Sequence, residues 1–201
     1  MARLGMIIDL ARCVGCDACT VACQAENGTP PGILYAPVYR KEVGKFPQAK
    51  VVFLPVLCMH CAAAPCLRAC PTGAIHKRAQ DGIVLVDRHK CCGSKACIAA
   101  CPYGALHFYQ EKSGVYGKEL TPPEERGQAA FTTGTVQKCT FCVHRVDLGL
   151  EPACVITCPT DCRIFGDFDD PQSKVSRLSR QRNAVALRAD AGTDPSVRYL
   201  P

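Results

Sequence analysis

The chain has 201 residues, room for one domain or two small ones, and a formal charge of +6. With no tryptophan and 6% aromatic residues it lacks the composition of a base-stacking platform, which argues against a nucleic-acid partner. Seventeen cysteines stand out, but they fall in tight groups two or three residues apart rather than in the spread pattern of a disulfide scaffold.

Residues 6–9, Met-Ile-Ile-Asp, read as a strand entering the first cysteine group, Cys13-x2-Cys16-x2-Cys19-x3-Cys23. No basic region followed by a long apolar run precedes it, so no signal peptide is expected. The longest apolar stretch, residues 51–57, is interrupted by Pro55 and falls far short of the about 20 residues of a membrane span. No direct span is expected, and any membrane association must come through a partner. The second group follows, Cys58-x2-Cys61-x4-Cys66-x3-Cys70-Pro71. After it, residues 74–77 and 83–86 flank Asp81-Gly82, a hairpin signal. The third group is Cys91-Cys92-x4-Cys97-x3-Cys101-Pro102, and residues 106–109 give its first strand. The expected return strand is replaced by a stretch rich in Gly, Pro and charge, read as a surface insertion over 111–136. The fourth group is Cys139-x2-Cys142-x11-Cys154-x3-Cys158-Pro159, with Cys162 left over as an inert buried thiol. Residues 174–201 are polar and Arg-rich, and read as a tail that becomes ordered on a partner surface.

The groups are copies of a module. Asp9 precedes Cys13 by four residues, as Asp87 precedes Cys91. Ala69-Cys70-Pro71-Thr72-Gly73-Ala74 matches Ala100-Cys101-Pro102-Tyr103-Gly104-Ala105, and Thr157-Cys158-Pro159-Thr160 is a partial third copy. Duplicated modules are the natural reading. Cysteines two residues apart wrap one face of an iron–sulfur cluster, and in the bacterial two-cluster arrangement the cysteine before proline ligates the other cluster. A zinc site needs two Cys-x2-Cys pairs and no more, and a run of three or four cysteines within eleven residues, repeated along the chain, exceeds that. A 4Fe–4S centre with four thiolates carries about −2, so four would bring the loaded protein to about −2. The Lys and Arg excess then reads as compensation for buried cluster charge. His60, His76, His89, His107 and His144 read as surface residues or as supports behind the cysteines, with His89 a remote alternative ligand by its spacing to Cys92.

These motifs resemble the iron–sulfur subunits of the dimethyl sulfoxide reductase superfamily of molybdopterin oxidoreductases, the polysulfide, thiosulfate, tetrathionate, arsenate and dimethyl sulfoxide reductase type. The most specific stretches are Cys13-Val14-Gly15-Cys16, Cys66-Leu67-Arg68-Ala69-Cys70-Pro71, Lys138-Cys139-Thr140-Phe141-Cys142, Gly149-Leu150-Glu151-Pro152-Ala153-Cys154 and Ile164-Phe165-Gly166-Asp167. The resemblance implies an α+β fold of two nested bacterial two-cluster ferredoxin-like modules, with loop insertions and an extended C-terminal tail. The outer module takes 1–50 with 137–173, the inner one 51–110, and 174–201 is a partner-binding tail. By the same resemblance Cys13, Cys16, Cys19 and Cys158 hold cluster one. Cys58, Cys61, Cys66 and Cys101 hold cluster two, and Cys139, Cys142, Cys154 and Cys23 hold cluster four. Cys70, Cys91 and Cys97 hold cluster three, whose pattern departs from the family: Ser94 stands where a cysteine is expected, and Cys92 is new. Cys92 completes a 4Fe–4S cluster, or the site holds a 3Fe–4S cluster, or the Ser94 oxygen ligates iron; the paired change favours Cys92.

The implied role is a non-catalytic electron relay between a large Mo or W molybdopterin subunit and an integral membrane quinone-binding subunit, on the periplasmic rather than the cytoplasmic face. The rivals are a free-standing soluble polyferredoxin and, through Ser94, catalysis at a cluster.

Overall fold

The computed structural model describes residues 2–201; Met1 lies outside them. Strand β1, Leu4–Asp9, has Met6, Ile7 and Ile8 fully buried, so both faces of the strand are covered. That demands a central position, and β1 is the middle strand of a three-stranded sheet. Helix α1, Ala18–Asn27, carries Cys19 and Cys23 one turn apart on its buried side. It ends at Gly28, which takes the left-handed conformation that glycine tolerates best.

Next comes a hairpin of β2, Val38–Val43, and β3, Lys50–Pro55, with Val43 opposite Lys50. A module boundary drawn between residues 50 and 51 therefore cuts through β3, whose ladder bonds run straight across it. Short helix α2, Pro65–Arg68, opens on a proline that needs no amide partner in the first turn. As Asp81-Gly82 predicts, β4, Ile75–Lys77, and β5, Val84–Val86, pair antiparallel. Helix α3, Ala96–Ala100, leads into β6, Leu106–Tyr109.

The segment after β6 corrects the expectation of a missing return strand. Helix α4, Pro122–Gln128, is fixed by a capping box between Thr121 and Glu124. It is followed by β7, Thr135–Lys138, which pairs antiparallel with β6, Tyr109 opposite Thr135. The return strand is delayed, not lost, and the last residues of the expected insertion, Thr135 and Val136, belong to it. The insertion is tied down where Tyr109 Oη donates to buried Gln128 Oε1 at 3.0 Å. Gly127 of α4 also crosses Gly28 with no room between them: a Cβ on Gly28 would lie 2.3 Å from Gly127 Cα. Gly28→Ala adds left-handed strain to this clash between backbones that cannot step aside. It is expected to destabilise by about 2–4 kcal/mol, read as a lower thermal midpoint of the cluster-loaded protein; an unchanged midpoint would mean that the crossing has slack.

Helices α5, Val143–Val146, and α6, Ala153–Ile156, are single turns between cysteines. Strand β8, Arg163–Asp167, then pairs antiparallel with β1, Met6 opposite Phe165. The C-terminal segment is a second correction. Helix α7, Lys174–Gln181, is capped by Ser173 and buries Val175 against the sheet. Strand β9, Val197–Leu200, runs parallel to β1 with Val197 opposite Met6, and Val197, Tyr199 and Leu200 are buried. Arg182, just after α7, pairs with Asp9, whose carboxylate is buried. The expected tail is thus part of the core: Val175, Leu178 and Leu200 pack with Ile7 and Ile164 on one side of the central sheet.

Candidate metal centre

The cysteines of different groups converge. Cys58, on the loop after β3, Cys61, Cys66 of α2 and Cys101, which ends α3, line one enclosed cavity with Met59, Val84 and Leu106. Burial pushes the Cys61 thiol up to about 11 and the Cys66 thiol to about 12, with Cys58 adding to both. A second cavity is lined by Cys70, Cys91 and Cys97, with Cys92 and Ser94 both on its wall. The Val136 amide of β7 donates to Cys91 Sγ at 3.4 Å, so the delayed return strand closes this site. Burial raises the Cys70 thiol, but amide hydrogen bonds from Ile75, Thr72 and Ala74 outweigh it and leave the thiol below its ordinary range. His89 lines a separate open groove with His76 and Arg88, away from this cavity.

Cys23, Cys139, Cys142 and Cys154 form a third set. Asn27, one turn beyond Cys23, places its Nδ2 at 3.5 Å from Cys23 Sγ and 3.8 Å from Cys142 Sγ. Burial raises the Cys23 thiol, and the neighbouring Cys154 and Cys142 raise it further. Cys139 is held well above its ordinary range by burial, then by Cys23, Cys58 and Cys154. Cys139 therefore lies near both Cys23 of this set and Cys58 of the first cavity. The remaining sulfurs belong to the first group and to Cys158. Burial acts to raise the Cys158 thiol, yet hydrogen bonds from Thr160 and Cys162 hold it at about 7. Cys162 Sγ lies 3.5 Å from Cys158 Sγ, and its amide donates to the same sulfur at 3.3 Å. Burial and Cys158 raise the Cys162 thiol, and Cys13 lies close enough to add to the effect. The leftover cysteine is buried, as expected, but it touches the site.

A 4Fe–4S dicluster domain model matches residues 49–120 and 123–168, and a second dicluster model matches residues 12–74. The arsenate respiratory reductase iron–sulfur subunit ArrB of Shewanella sp. (strain ANA-3) is 43% identical over 98% of this chain and 96% of its own length. The chain belongs to the iron–sulfur subunits of the dimethyl sulfoxide reductase superfamily. A subunit of the tetrathionate reductase of Salmonella typhimurium is 41% identical over 98% of this chain and 72% of its own. A subunit of the selenate reductase of Mesobacillus selenatarsenatis is 41% identical over 97% and 70%. This iron–sulfur subunit serves electron transfer, on an α+β framework of dicluster ferredoxin-type domains.

The donor set fits such a cofactor. Cys58, Cys61, Cys66 and Cys101 line one cavity and Cys70, Cys91 and Cys97 another, and thiolates are the ligands that iron–sulfur clusters take. Two buried cations fit as well, and sequence reasoning missed both. Arg163, at the start of β8, is 2% exposed. Its Nη1 reaches Cys154 Sγ at 3.9 Å and Met6 Sδ at 3.8 Å, while Nε and Nη2 have no partner among the described residues. Lys138 is 1% exposed and donates to the carbonyls of Val84 and Cys139. A buried cation without an anion is costly, and negatively charged clusters are what these two lack. The +6 count hinted at compensation but not at which residues supply it.

His60, read from the sequence as a surface residue or a support behind the cysteines, is buried and is a support. Its Nδ1 accepts from the Val84 amide at 3.1 Å, and its ring stacks on Phe141 with centroids 3.7 Å apart. Burial, then Lys138, push it well below the ordinary histidine range, so the ring is neutral. His60 lies between Cys58 and Cys61, and Phe141 between Cys139 and Cys142. The stack therefore joins two cysteine loops, and only the three-dimensional fold brings them together.

Proposed function

We propose that this subunit carries four clusters in a row and relays single electrons between a molybdopterin catalytic subunit, holding Mo or W, and a membrane quinone-binding subunit. Cys13, Cys16, Cys19 and Cys158 hold cluster one; Cys23, Cys139, Cys142 and Cys154 hold cluster four. Cys58, Cys61, Cys66 and Cys101 hold cluster two. Cys70, Cys91 and Cys97 hold cluster three, completed by Cys92. The observation that carries this reading is the sharing of neighbours between sets. Arg163 neighbours Cys154 and Cys19, Cys139 neighbours Cys58, and α2 and α3 each connect the cavities of clusters two and three. The order along the row is thus one, four, two, three. Cys16 and Cys92, at the two ends, are exposed, and the middle cysteines, Cys101 apart, are buried. That suits a wire with terminals at its ends and insulation between them.

A bound cluster supplies one-electron transfer without bond making. The protein's part is to hold thiolates, exclude water and set potentials through hydrogen bonds and charge. No helix among the described residues is long and apolar enough to cross a membrane, so we assign membrane association, on the periplasmic face, to the partner subunits. The folded insertion and C-terminal segment do not by themselves argue against a free-standing polyferredoxin. The relatives do, because each is by name a subunit of a reductase. Gel filtration of the native protein separates the two readings.

Iron analysis and EPR of the protein purified with its partners test the row and its third member. The wild type is expected to hold about sixteen irons and to be EPR-silent when oxidised. Cys92→Ser is expected to drop to about fifteen and to show the oxidised signal of a 3Fe–4S centre, while Ser94→Ala keeps the wild-type spectrum. A Cys92→Ser protein identical to wild type would remove Cys92 from the ligand set, and zinc in place of iron would end the electron-relay reading.

A further inference from the structure

We propose that Arg163 is a positioning residue that holds clusters one and four at raised reduction potentials, by donating its unpartnered N–H groups to sulfur on both. The inference deepens the reading above and rests on its ligand sets. Arg163 is the first residue of β8, in the register position opposite Ile8 of the central strand β1. From there its side chain enters the space between α1, which carries Cys19, and α6, which carries Cys154. The two helices pack against each other, and α6 also packs on β8. The guanidinium is buried, and among the described residues no carboxylate pairs with it. Its Nη1 lies 3.9 Å from Cys154 Sγ and 3.8 Å from Met6 Sδ, and Cys19 and Cys162 are close enough for their charge to act on it. Two donors aimed at no protein acceptor, in a site this dry, are left for the cluster sulfurs.

The direction of the effect follows from charge. Reduction takes a 4Fe–4S centre with four thiolates from about −2 to about −3. A fixed cation beside it stabilises the more negative state, more strongly in a buried site than in water. Thiolates of both sets neighbour the same guanidinium, so one residue biases two adjacent members of the row toward holding the electron. Clusters two and three lie beyond its reach.

The test is a potentiometric EPR titration of the complex purified with its native partners, comparing wild type, Arg163→Met and Arg163→Lys. In the Met variant clusters one and four are expected to become harder to reduce by at least tenfold in the reduction equilibrium, 59 mV for a one-electron couple. Clusters two and three keep their midpoints, and Lys, which keeps the charge, restores most of the difference. Unchanged midpoints in a Met variant with full iron, or an equal fall in all four clusters, would overturn the proposal. A wild-type measurement covers a Met variant that fails to load iron. With arginine labelled by 15N, pulsed EPR of the reduced complex is expected to detect a nitrogen coupling at clusters one and four that the Lys variant loses. No such coupling overturns the proposal while leaving the cluster row intact. Failure of the row itself appears separately, as missing iron and missing cluster signals.

Discussion

Removing residues 194–201 is expected to destroy the protein, not merely its grip on a partner. Strand β9 closes one edge of the central sheet, and Val197, Tyr199 and Leu200 are buried there. Burying three such side chains contributes about 5–9 kcal/mol, against a total stability of about 5–15 kcal/mol for an ordinary domain. The segment also crosses behind the second cysteine group. The Asp194 carbonyl accepts from the Ala62 amide at 2.8 Å, the Ser196 amide donates to the Met59 carbonyl at 2.9 Å, and Tyr199 Oη donates to the Pro55 carbonyl at 2.9 Å. These bonds set the path of the loop that carries Cys58 and Cys61. The truncated chain is therefore expected in the insoluble fraction or, if soluble, cut rapidly by protease and short of iron. A soluble truncated chain with full iron, failing only to co-purify with its partners, would return this segment to the role that its composition suggested.

That composition misled for a physical reason. Val175 and Leu178 sit three residues apart in a helix otherwise made of Lys, Ser, Arg and Gln, and β9 is four residues long. Its pairing partner, β1, lies at the other end of the sequence. No local window contains that pairing, whereas the Asp81-Gly82 hairpin was legible because both strands and their turn fall within twelve residues. The β2–β3 hairpin was missed from the opposite side: Tyr39, Val51 and Val52 are exposed, so no alternation marks a buried face. Cysteine spacing announced the cluster chemistry, since ligand loops are local. The support around those loops was hidden. Arg163 and Lys138 look like any basic residue next to a motif until the fold removes them from water, and His60 looks like a loop residue until Phe141 is laid against it.

Stripping the iron with a chelator is expected to unfold the chain, and the pH dependence should reverse on doing so. Cys19, Cys23, Cys58, Cys61, Cys66, Cys97, Cys139, Cys142 and Cys154 are all buried, so clusters held by them would sit in the core. Helices α2, α5 and α6 have four residues each, far too few to stand without tertiary support. Without clusters, Arg163 and Lys138 are also left as buried cations with no anion nearby. Metal binding at such a site is folding free energy. Ligation requires thiolates, so cluster assembly releases protons, and the loaded protein is expected to lose its clusters as pH falls. The cluster-free chain behaves oppositely. Burial raises Cys66 to about 12 and Cys154 to about 11, from an ordinary 9.0. Above pH 9 the unfolded chain gives up protons that these buried thiols would keep. Whatever native structure survives iron removal is thus present below pH 9 and lost as pH rises above it. Far-UV circular dichroism before and after chelation, repeated across pH 6–10, reads both signs, and proton release on reconstitution reads the linkage directly. A cluster-free chain with the native spectrum and a cooperative melt would show that side-chain packing, rather than ligation, holds this core together.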